Sequence, residues 1–280
     1  MSLEVYFLLA LAIVWTLFAV VQDLRTREIA NWVSFSLVIF VLGYRFFHSL
    51  FSDVGFGFFY QGLLGLLVFV ILGHLLYYAR FFAGGDAKLM MALGAVLPFT
   101  ANFYLNVKLF FVFLVVFLIA GAVYSLSASV YLGLRNFKVF KKEFSKQFKK
   151  NKKLTYLLIL LASLFLVLGF NEPALLYFGV LVFVIPYLYV YTKAVDESCM
   201  VKKIKTSQLT EGDWLYKDVK VQKGKVKADW DGVSEEEIKQ IKKNHKEVLV
   251  RYGVQFSPVF LISLLVFAYL WETGLWNSLF

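Results

Sequence analysis

Two aspartates are the residues of this chain best placed to do chemistry. Asp23 closes the apolar run in "VVQDLRTREIANWVSF", and Asp86 follows two glycines in "FFAGGDAKLM", between two apolar segments. A carboxylate at membrane depth is costly unless it has a partner or lines a wet cavity, which makes it a functional candidate. If the two carboxylates meet, one pKa rises and the pair shares a proton. One can then serve as general base towards water and the other as general acid.

Plainer interpretations of the same residues stay open at the level of sequence. Asp23 stands beside two arginines in "DLRTRE", as a solvated charge in a loop would. Asp86 also fits an N-cap of the helix that follows, with Lys88 as its ion partner. The glycines Gly84 and Gly85 favour the functional interpretation, because they permit unusual backbone conformations and close approach of a substrate strand.

The composition is that of a membrane protein. Of 280 residues 60% are hydrophobic, and the mean hydropathy is +0.70, well above the range of soluble domains. The single cysteine, Cys199, excludes a disulfide framework and a cysteine-rich zinc site. The sequence also lacks the H-E-x-x-H motif of zinc proteases.

Hydropathy divides the chain into apolar runs long enough to cross about 30 Å of hydrocarbon. We predict spans near residues 4–22, 32–51, 57–79, 108–134, 154–170, 174–192 and 255–275, with a shorter eighth at 88–105. The first lacks a basic n-region and is expected to be retained rather than removed as a signal peptide. Two crossings separate Asp23 from Asp86, so both must emerge on the same side of the membrane.

The distribution of basic residues predicts which side that is. With the N-terminus outside, every lysine and arginine except Arg45 and Lys108 falls in an inner segment. This positive-inside pattern accounts for the net charge of +10, together with attraction to anionic membrane lipid. We therefore expect no nucleic-acid partner. The basic segment 135–153, with interleaved phenylalanines, fits an amphipathic helix on the inner leaflet or a topogenic loop.

One stretch, residues 193–254, is polar enough to form a soluble module. Alternating valines around Lys223-Gly224 predict a β-hairpin, and Ser234 with Glu237 forms a capping box that predicts a short helix. The expected fold class is an all-α polytopic membrane protein of six to eight transmembrane helices, with a small cytoplasmic α+β insert before the last helix. Its expected parts are a catalytic membrane region 1–134, the basic segment 135–153, a helix pair 154–192, the insert 193–254 and a last helix 255–280.

The motif "AGGDAKLMMALGAVLP" resembles that of the GxGD-type aspartyl proteases, in the type IV prepilin peptidase family. "DLRTREIANW" resembles the segment around that family's other aspartate, and "RYGVQFSPVF" resembles the closing element of its archaeal preflagellin and prepilin peptidase branch. Two positions depart from the pattern: Ala83 replaces the first glycine, and Ala30 replaces the proline of Ile-Pro-Asn. The cysteine pairs of many bacterial relatives are absent, so their second activity, N-methylation, is not implied.

The resemblance implies catalytic roles for Asp23 and Asp86 and a backbone role for Gly84 and Gly85. Lys88 matches a frequent lysine of the family, although a charge partner or lipid contact explains it equally well, and Asn31 is retained from Ile-Pro-Asn. Gln255–Pro258 is a hypothesis for shaping the cleft, with an ordinary irregular entry to the last helix as its alternative. It implies an endopeptidase without a cofactor. Such enzymes remove the short basic, class III-type leader from pilin-like or flagellin-like precursors at the cytoplasmic face of the cell membrane.

Two other classes of function stay open from the residues. An ion- or proton-coupled transporter would also place carboxylates in the membrane, although its sites usually lie near the midplane between internal repeats, and no repeat is evident here. A membrane scaffold with a regulatory module would place its function in residues 193–254.

Overall fold

The structure is dominated by helices, and most of their apolar runs coincide with the spans expected from hydropathy. The computed structural model describes residues 2–170, 172–222 and 224–276. Its helices are α1 (Leu3–Thr26), α2 (Asn31–Phe51), α3 (Gly57–Tyr78), α4 (Gly84–Val96), α5 (Phe103–Arg135), α6 (Phe137–Lys150), α7 (Lys152–Leu168), α8 (Pro173–Val195), α9 (Glu235–Asn244) and α10 (Pro258–Thr273).

The predicted fold class is confirmed. Within the described residues, α1, α2, α3, α5 and the segment Pro173–Met200 are long and apolar enough to cross a membrane. α6 and α7 are bent by 74° at their junction and add a sixth span if they are counted together. The shorter eighth segment predicted at 88–105 does not form a helix of spanning length, because α4 ends at Val96 and its 13 residues reach only about 20 Å.

Two compact units make up the chain. The first contains the described residues up to Ser125 and those from Gln255 onward, and the second is Leu126–Val254. This division is coarser than the five parts expected from the sequence. The first unit holds both aspartates and a core of side chains from α1 to α5 and α10.

The second unit contains a small sheet structure ahead of the last helix. Its strands are β1 (Val201–Lys205), β2 (Trp214–Leu215), β3 (Val219–Val221), β4 (Gly224–Val226) and β5 (Glu247–Arg251). They form an antiparallel sheet in the order β1-β5-β2 and the hairpin β3-β4. The predicted hairpin is confirmed, although Lys223 at its tip lies outside the described residues. The capping box of Ser234 and Glu237 is also confirmed at the start of α9.

The basic segment contains a helix, α6, that packs on its apolar side against α8. Phe140 stacks edge-on with Tyr191, and Phe148 lies against Tyr187, so these two phenylalanines face protein. Phe137 stays more than half exposed. The lysines of α6 therefore lie on the side of the helix away from α8, where they can contact water or anionic lipid headgroups.

In the first unit α3 and α4 approach each other very closely through glycines. A Cβ atom on Gly94 of α4 would lie 2.6 Å from the carbonyl oxygen of Gly65 on α3. A Cβ on Gly73 would lie 2.7 Å from Cγ of Met91. Small residues at such an interface let two backbones pack against each other where a hydrophobic driving force is weak. The contact fixes the position of α4.

The C-terminal end of α4 is held by a buried arginine. Arg45 of α2 is fully buried and donates to the carbonyl oxygens of Ala95 (2.9 Å), Val96 (3.0 Å) and Pro98. A fourth hydrogen bond goes to the carbonyl of Phe58, at 2.9 Å. These carbonyls would otherwise be unsatisfied in an apolar interior, which is costly. One guanidinium thus closes the end of a short buried helix.

We expect Gly94→Ala to destabilise the protein by about 1–3 kcal/mol, because the added methyl group overpacks the interface of α3 and α4. Gly43→Ala is the matched control, since a Cβ at Gly43 meets no atom within 4 Å. That control should be neutral or stabilising by up to about 1 kcal/mol through helix propensity. Thermal unfolding in detergent, followed by circular dichroism, measures both. A Gly94→Ala protein as stable as Gly43→Ala would contradict the close approach.

Candidate active site

The turn after α1 holds Asp23 in place. Arg27 adopts a left-handed conformation with φ 63° and donates its N–H to the carbonyl oxygen of Asp23, which ends the helix. The side chain of Gln22 accepts a hydrogen bond from the N–H of Ala30 at 3.1 Å and closes the turn. Asp23 is only 7% exposed. The interpretation of Asp23 as an ordinary solvated loop charge is therefore wrong.

Asp86 lies in the first turn of α4, at the end of the helix opposite Arg45. The N-cap is Ala83, so the interpretation of Asp86 as the N-cap is wrong. Asp86 is the third helical residue and has a hydrogen bond with the backbone of Ala83. This is the reciprocal half of a capping box, in which the third residue reaches back to the cap. It orients the carboxyl group towards the N-terminal end of α4.

The two glycines before Asp86 have different roles. Both are helical, and neither has a positive φ, so no unusual backbone conformation is needed here. A Cβ on Gly85 would lie 3.1 Å from Cβ of Ile29, tighter than ordinary van der Waals contact. A Cβ on Gly84 would meet only Tyr77, at 3.9 Å. Gly85 therefore lets the turn after α1 approach α4, whereas Gly84 has no such steric role.

The two carboxylates lie close enough to interact. Burial and, to a smaller extent, the charge of Asp23 together raise the pKa of Asp86 from 3.8 to about 7, against the opposing backbone hydrogen bond with Ala83. Asp86 lies outside the helices that are long enough to span a membrane. A helix N-terminus favours an anion by roughly 0.3–1 kcal/mol, less than one pKa unit. Burial and charge repulsion therefore outweigh the helix dipole.

A third segment, at the start of α10, completes the surroundings of Asp23. Ser257 is fully buried, and its Oγ donates to Oδ2 of Asp23 at 2.6 Å. Tyr124 of α5 lies within electrostatic range of Asp23, and its hydroxyl donates to the carbonyl of Gln255 at 3.0 Å. The sequence hypothesis for Gln255–Pro258 includes Ser257 but names only Pro258 as a site residue and gives Ser257 no role of its own. The available signal was a serine directly before the proline that starts an apolar helix.

Among the described residues, no hydrogen bond or ion pair joins the other predicted site residues, Lys88, Asn31 and Pro258, to either aspartate. Lys88 donates to Oδ1 of Asn31 at 2.6 Å, which joins the first turn of α4 to the start of α2. Lys88 thus pairs with Asn31, and the expected ion pair with Asp86 is not found. Pro258 is the first residue of α10. It sets the start of the helix that carries Ser257 just ahead of it.

A cluster of phenylalanines joins the segment that bears Asp86 to the segment that bears Ser257. Phe82, four residues before Asp86, contacts Phe117, Phe256 and Phe260, at ring-centroid distances of 5.8 Å, 6.0 Å and 5.9 Å. Phe256 directly precedes Ser257. Such buried aromatic contacts fix the relative position of the chain before α4 and the chain before α10.

The arrangement suits acid–base chemistry on a bound water. Asp86, with a pKa of about 7, is partly protonated at neutral pH, and Asp23 is buried beside a hydroxyl donor. Among the described residues, no group of three or more His, Cys, Asp or Glu side chains could hold a metal ion.

We expect Asp86→Asn to raise the thermal stability of the protein at pH 8. With a folded-state pKa of about 7, the Asp86 carboxyl contributes stability below its unfolded pKa of 3.8 that is lost as the pH rises through about 7. The neutral amide avoids this loss, so the gain should be a few degrees, at roughly 2–4 °C per kcal/mol, and should shrink towards pH 4.

The control for this prediction is Glu28→Gln, at an exposed carboxylate five residues after Asp23. Its melting temperature should follow that of the unaltered protein at both pH values. An equal gain from Asp86→Asn at pH 4 and pH 8 would show that the raised pKa is not its cause.

Comparison with known proteins finds a family resemblance over the part of the chain that carries the two aspartates. The profile of the Type IV leader peptidase family matches residues 10–126. Over 82 residues the chain is 38% identical to a preflagellin peptidase of Methanocaldococcus jannaschii. This aligned stretch covers 29% of this chain and 34% of the peptidase. The match thus spans about a third of the relative's length. No solved structure matches the chain. The resemblance to the type IV leader peptidase family is therefore confirmed for residues 10–126, the segment that carries Asp23 and Asp86.

Proposed function

We propose that this protein is a membrane aspartic endopeptidase that removes the short basic leader from pilin-like or flagellin-like precursors. The observation that carries the proposal is the juxtaposition of Asp23 and Asp86, from two different helices, with the pKa of Asp86 raised to about 7. When the environments of two carboxyl groups give them different pKa values, the group with the higher pKa can act as the acid and the other as the base. The family match over the same segment supports a leader peptide as the substrate.

The reaction follows from the protonation states. Asp23, ionised, accepts a proton from water while the water oxygen bonds to the scissile carbonyl carbon. Asp86 donates its proton to the carbonyl oxygen, which gives a neutral tetrahedral diol. The C–N bond then breaks as Asp23 returns its proton to the leaving nitrogen. Asp86 regains a proton from the diol, and an acid and an amine are released.

We propose that the dyad faces the cytoplasm. Arg25 and Arg27 stand at the end of α1 that bears Asp23, and Arg80 and Lys88 flank Asp86. Basic residues near span ends favour the cytoplasmic side. The apolar helix of a precursor would then lie in lipid and present its leader to the carboxylates. A basic leader would also suit an ionised Asp23.

Replacing either aspartate tests the dyad. We expect Asp23→Asn and Asp86→Asn each to reduce cleavage of a pilin-like precursor by at least about 10²-fold, the lower range for loss of a general acid or base. Cleavage by detergent-solubilised protein is followed by the mobility shift of the precursor on a gel. Glu28→Gln, an exposed acid of the same region, should cleave normally. Retained cleavage in either asparagine variant would exclude the dyad.

The pH profile tests which carboxyl group supplies the proton. Because Asp86 must be protonated and its pKa is about 7, kcat/KM should fall above about pH 7, by about tenfold per pH unit. Initial rates across pH 5 to 9 measure this. A profile that is flat to pH 9 would contradict Asp86 as the acid. A transporter would instead show ion flux in liposomes and no proteolysis at any pH.

A further inference from the structure

Ser257 has an unusual hydrogen bond for its position. It stands at the N-cap of α10, where a serine normally accepts a hydrogen bond from a backbone N–H of the first turn. No such side-chain cap bond is present. The N–H of Phe260 is instead bonded to the carbonyl oxygen of Ser257, at 3.0 Å. The hydroxyl donates to Oδ2 of Asp23, at 2.6 Å, between residues 234 positions apart.

The direction of this hydrogen bond matters for Asp23. A hydroxyl that donates to a carboxylate stabilises its ionised form, and a short bond to a charged acceptor is stronger than one between neutral groups. The other groups that face Asp23 act differently. Asp86, from α4, repels a negative charge at Asp23, and Tyr124, from α5, donates its own hydrogen bond to Gln255. Lys88, also on α4, is bonded to Asn31.

The segment before α10 is anchored so that the Ser257 hydroxyl has a fixed orientation. The carbonyl of Gln255 is held by Tyr124. The ring of Phe256 packs between Phe82 and Phe117 and lies against Gly121, where an added Cβ would be 3.0 Å from the ring. Pro258 follows directly, with a restricted backbone. Ser257 therefore lies between two constrained neighbours.

We propose that Ser257 is a positioning residue for catalysis, which orients the Asp23 carboxylate and keeps it ionised so that Asp23 serves as the base and Asp86 as the acid. The proposal rests on the peptidase function proposed above and adds a third participant to the pair. Ser257 itself exchanges no proton with the substrate. It acts through the carboxylate that it contacts.

The first test compares pH profiles of kcat/KM for the full chain in detergent, with a pilin-like precursor as substrate. In Ser257→Ala the acidic limb, the fall of kcat/KM towards low pH, should move up by about one pH unit. The rate at pH values on that limb should then drop by up to about tenfold, since one unit corresponds to a tenfold change. Ser257→Thr, which keeps the hydroxyl, should restore the profile. Ser257→Cys, a weak donor of similar size, should fall between the two. An acidic limb in Ser257→Ala identical to that of the unaltered protein would overturn the proposal.

Ser263→Ala is the matched control. Ser263 is a fully buried serine of the same helix, and its hydroxyl donates only to the carbonyl of Val259, one turn back, at 2.6 Å. Its loss should leave the pH profile unchanged even if stability falls slightly. An equal displacement of the acidic limb in Ser263→Ala would show that any cavity in α10 has this effect, and would overturn the specific role of Ser257.

A second test needs no substrate and separates this proposal from the proposed function. Infrared difference spectra between Asp86→Asn and the double variant Asp23→Asn/Asp86→Asn isolate the carboxyl band of Asp23. Adding Ser257→Ala to both proteins should make the protonated band appear at higher pH. An unchanged band would overturn the role of Ser257. Absence of proteolysis in the unaltered protein would refute the peptidase function and leave this measurement valid.

Discussion

The buried guanidinium of Arg45 is the interaction on which the arrangement of the first unit depends. α4 is too short to reach across the membrane, so the backbone carbonyls at its C-terminal end lie inside the protein, where water cannot satisfy them. Arg45 donates to three carbonyls at that end and to Phe58 at the start of α3. A Cβ on Gly62 would lie 2.5 Å from Cδ of Arg45, so a glycine makes room for the side chain. With one end fixed in this way, the other end of α4 presents Asp86.

The same rigid framework makes the electrostatics of the site possible. A carboxyl group keeps a raised pKa only if the structure cannot relax to hydrate it or move it away from another charge. Glycine contacts between α3 and α4, the turn at Arg27 and the phenylalanines around Phe82 together prevent that relaxation. The cost of burying Asp86 is offset by packing elsewhere in the unit. This division between a strained site and a well-packed support is expected where chemistry requires an unfavourable charge.

Much of the fold follows from local sequence rules. The spans of α1, α2, α3 and α5 are read from hydropathy, because in lipid a helix must satisfy its own backbone and carry about twenty apolar residues. Ser234 and Glu237 predict the start of α9, and the valines around residue 224 predict a hairpin, since both signals act over a few residues. The separation of Asp23 and Asp86 by two crossings also predicts that they share a side.

What the sequence determined by itself is therefore most of the apolar helices, together with the prediction that the two aspartates share a side of the membrane. Only the tertiary structure decided that α4 stops at Val96, that Lys88 pairs with Asn31 and that Ser257 bonds to Asp23. These contacts join residues 57 and 234 positions apart, and no periodicity or local motif encodes such a distance. They arise because packing of whole helices, set by glycine contacts and one buried arginine, fixes which polar groups meet.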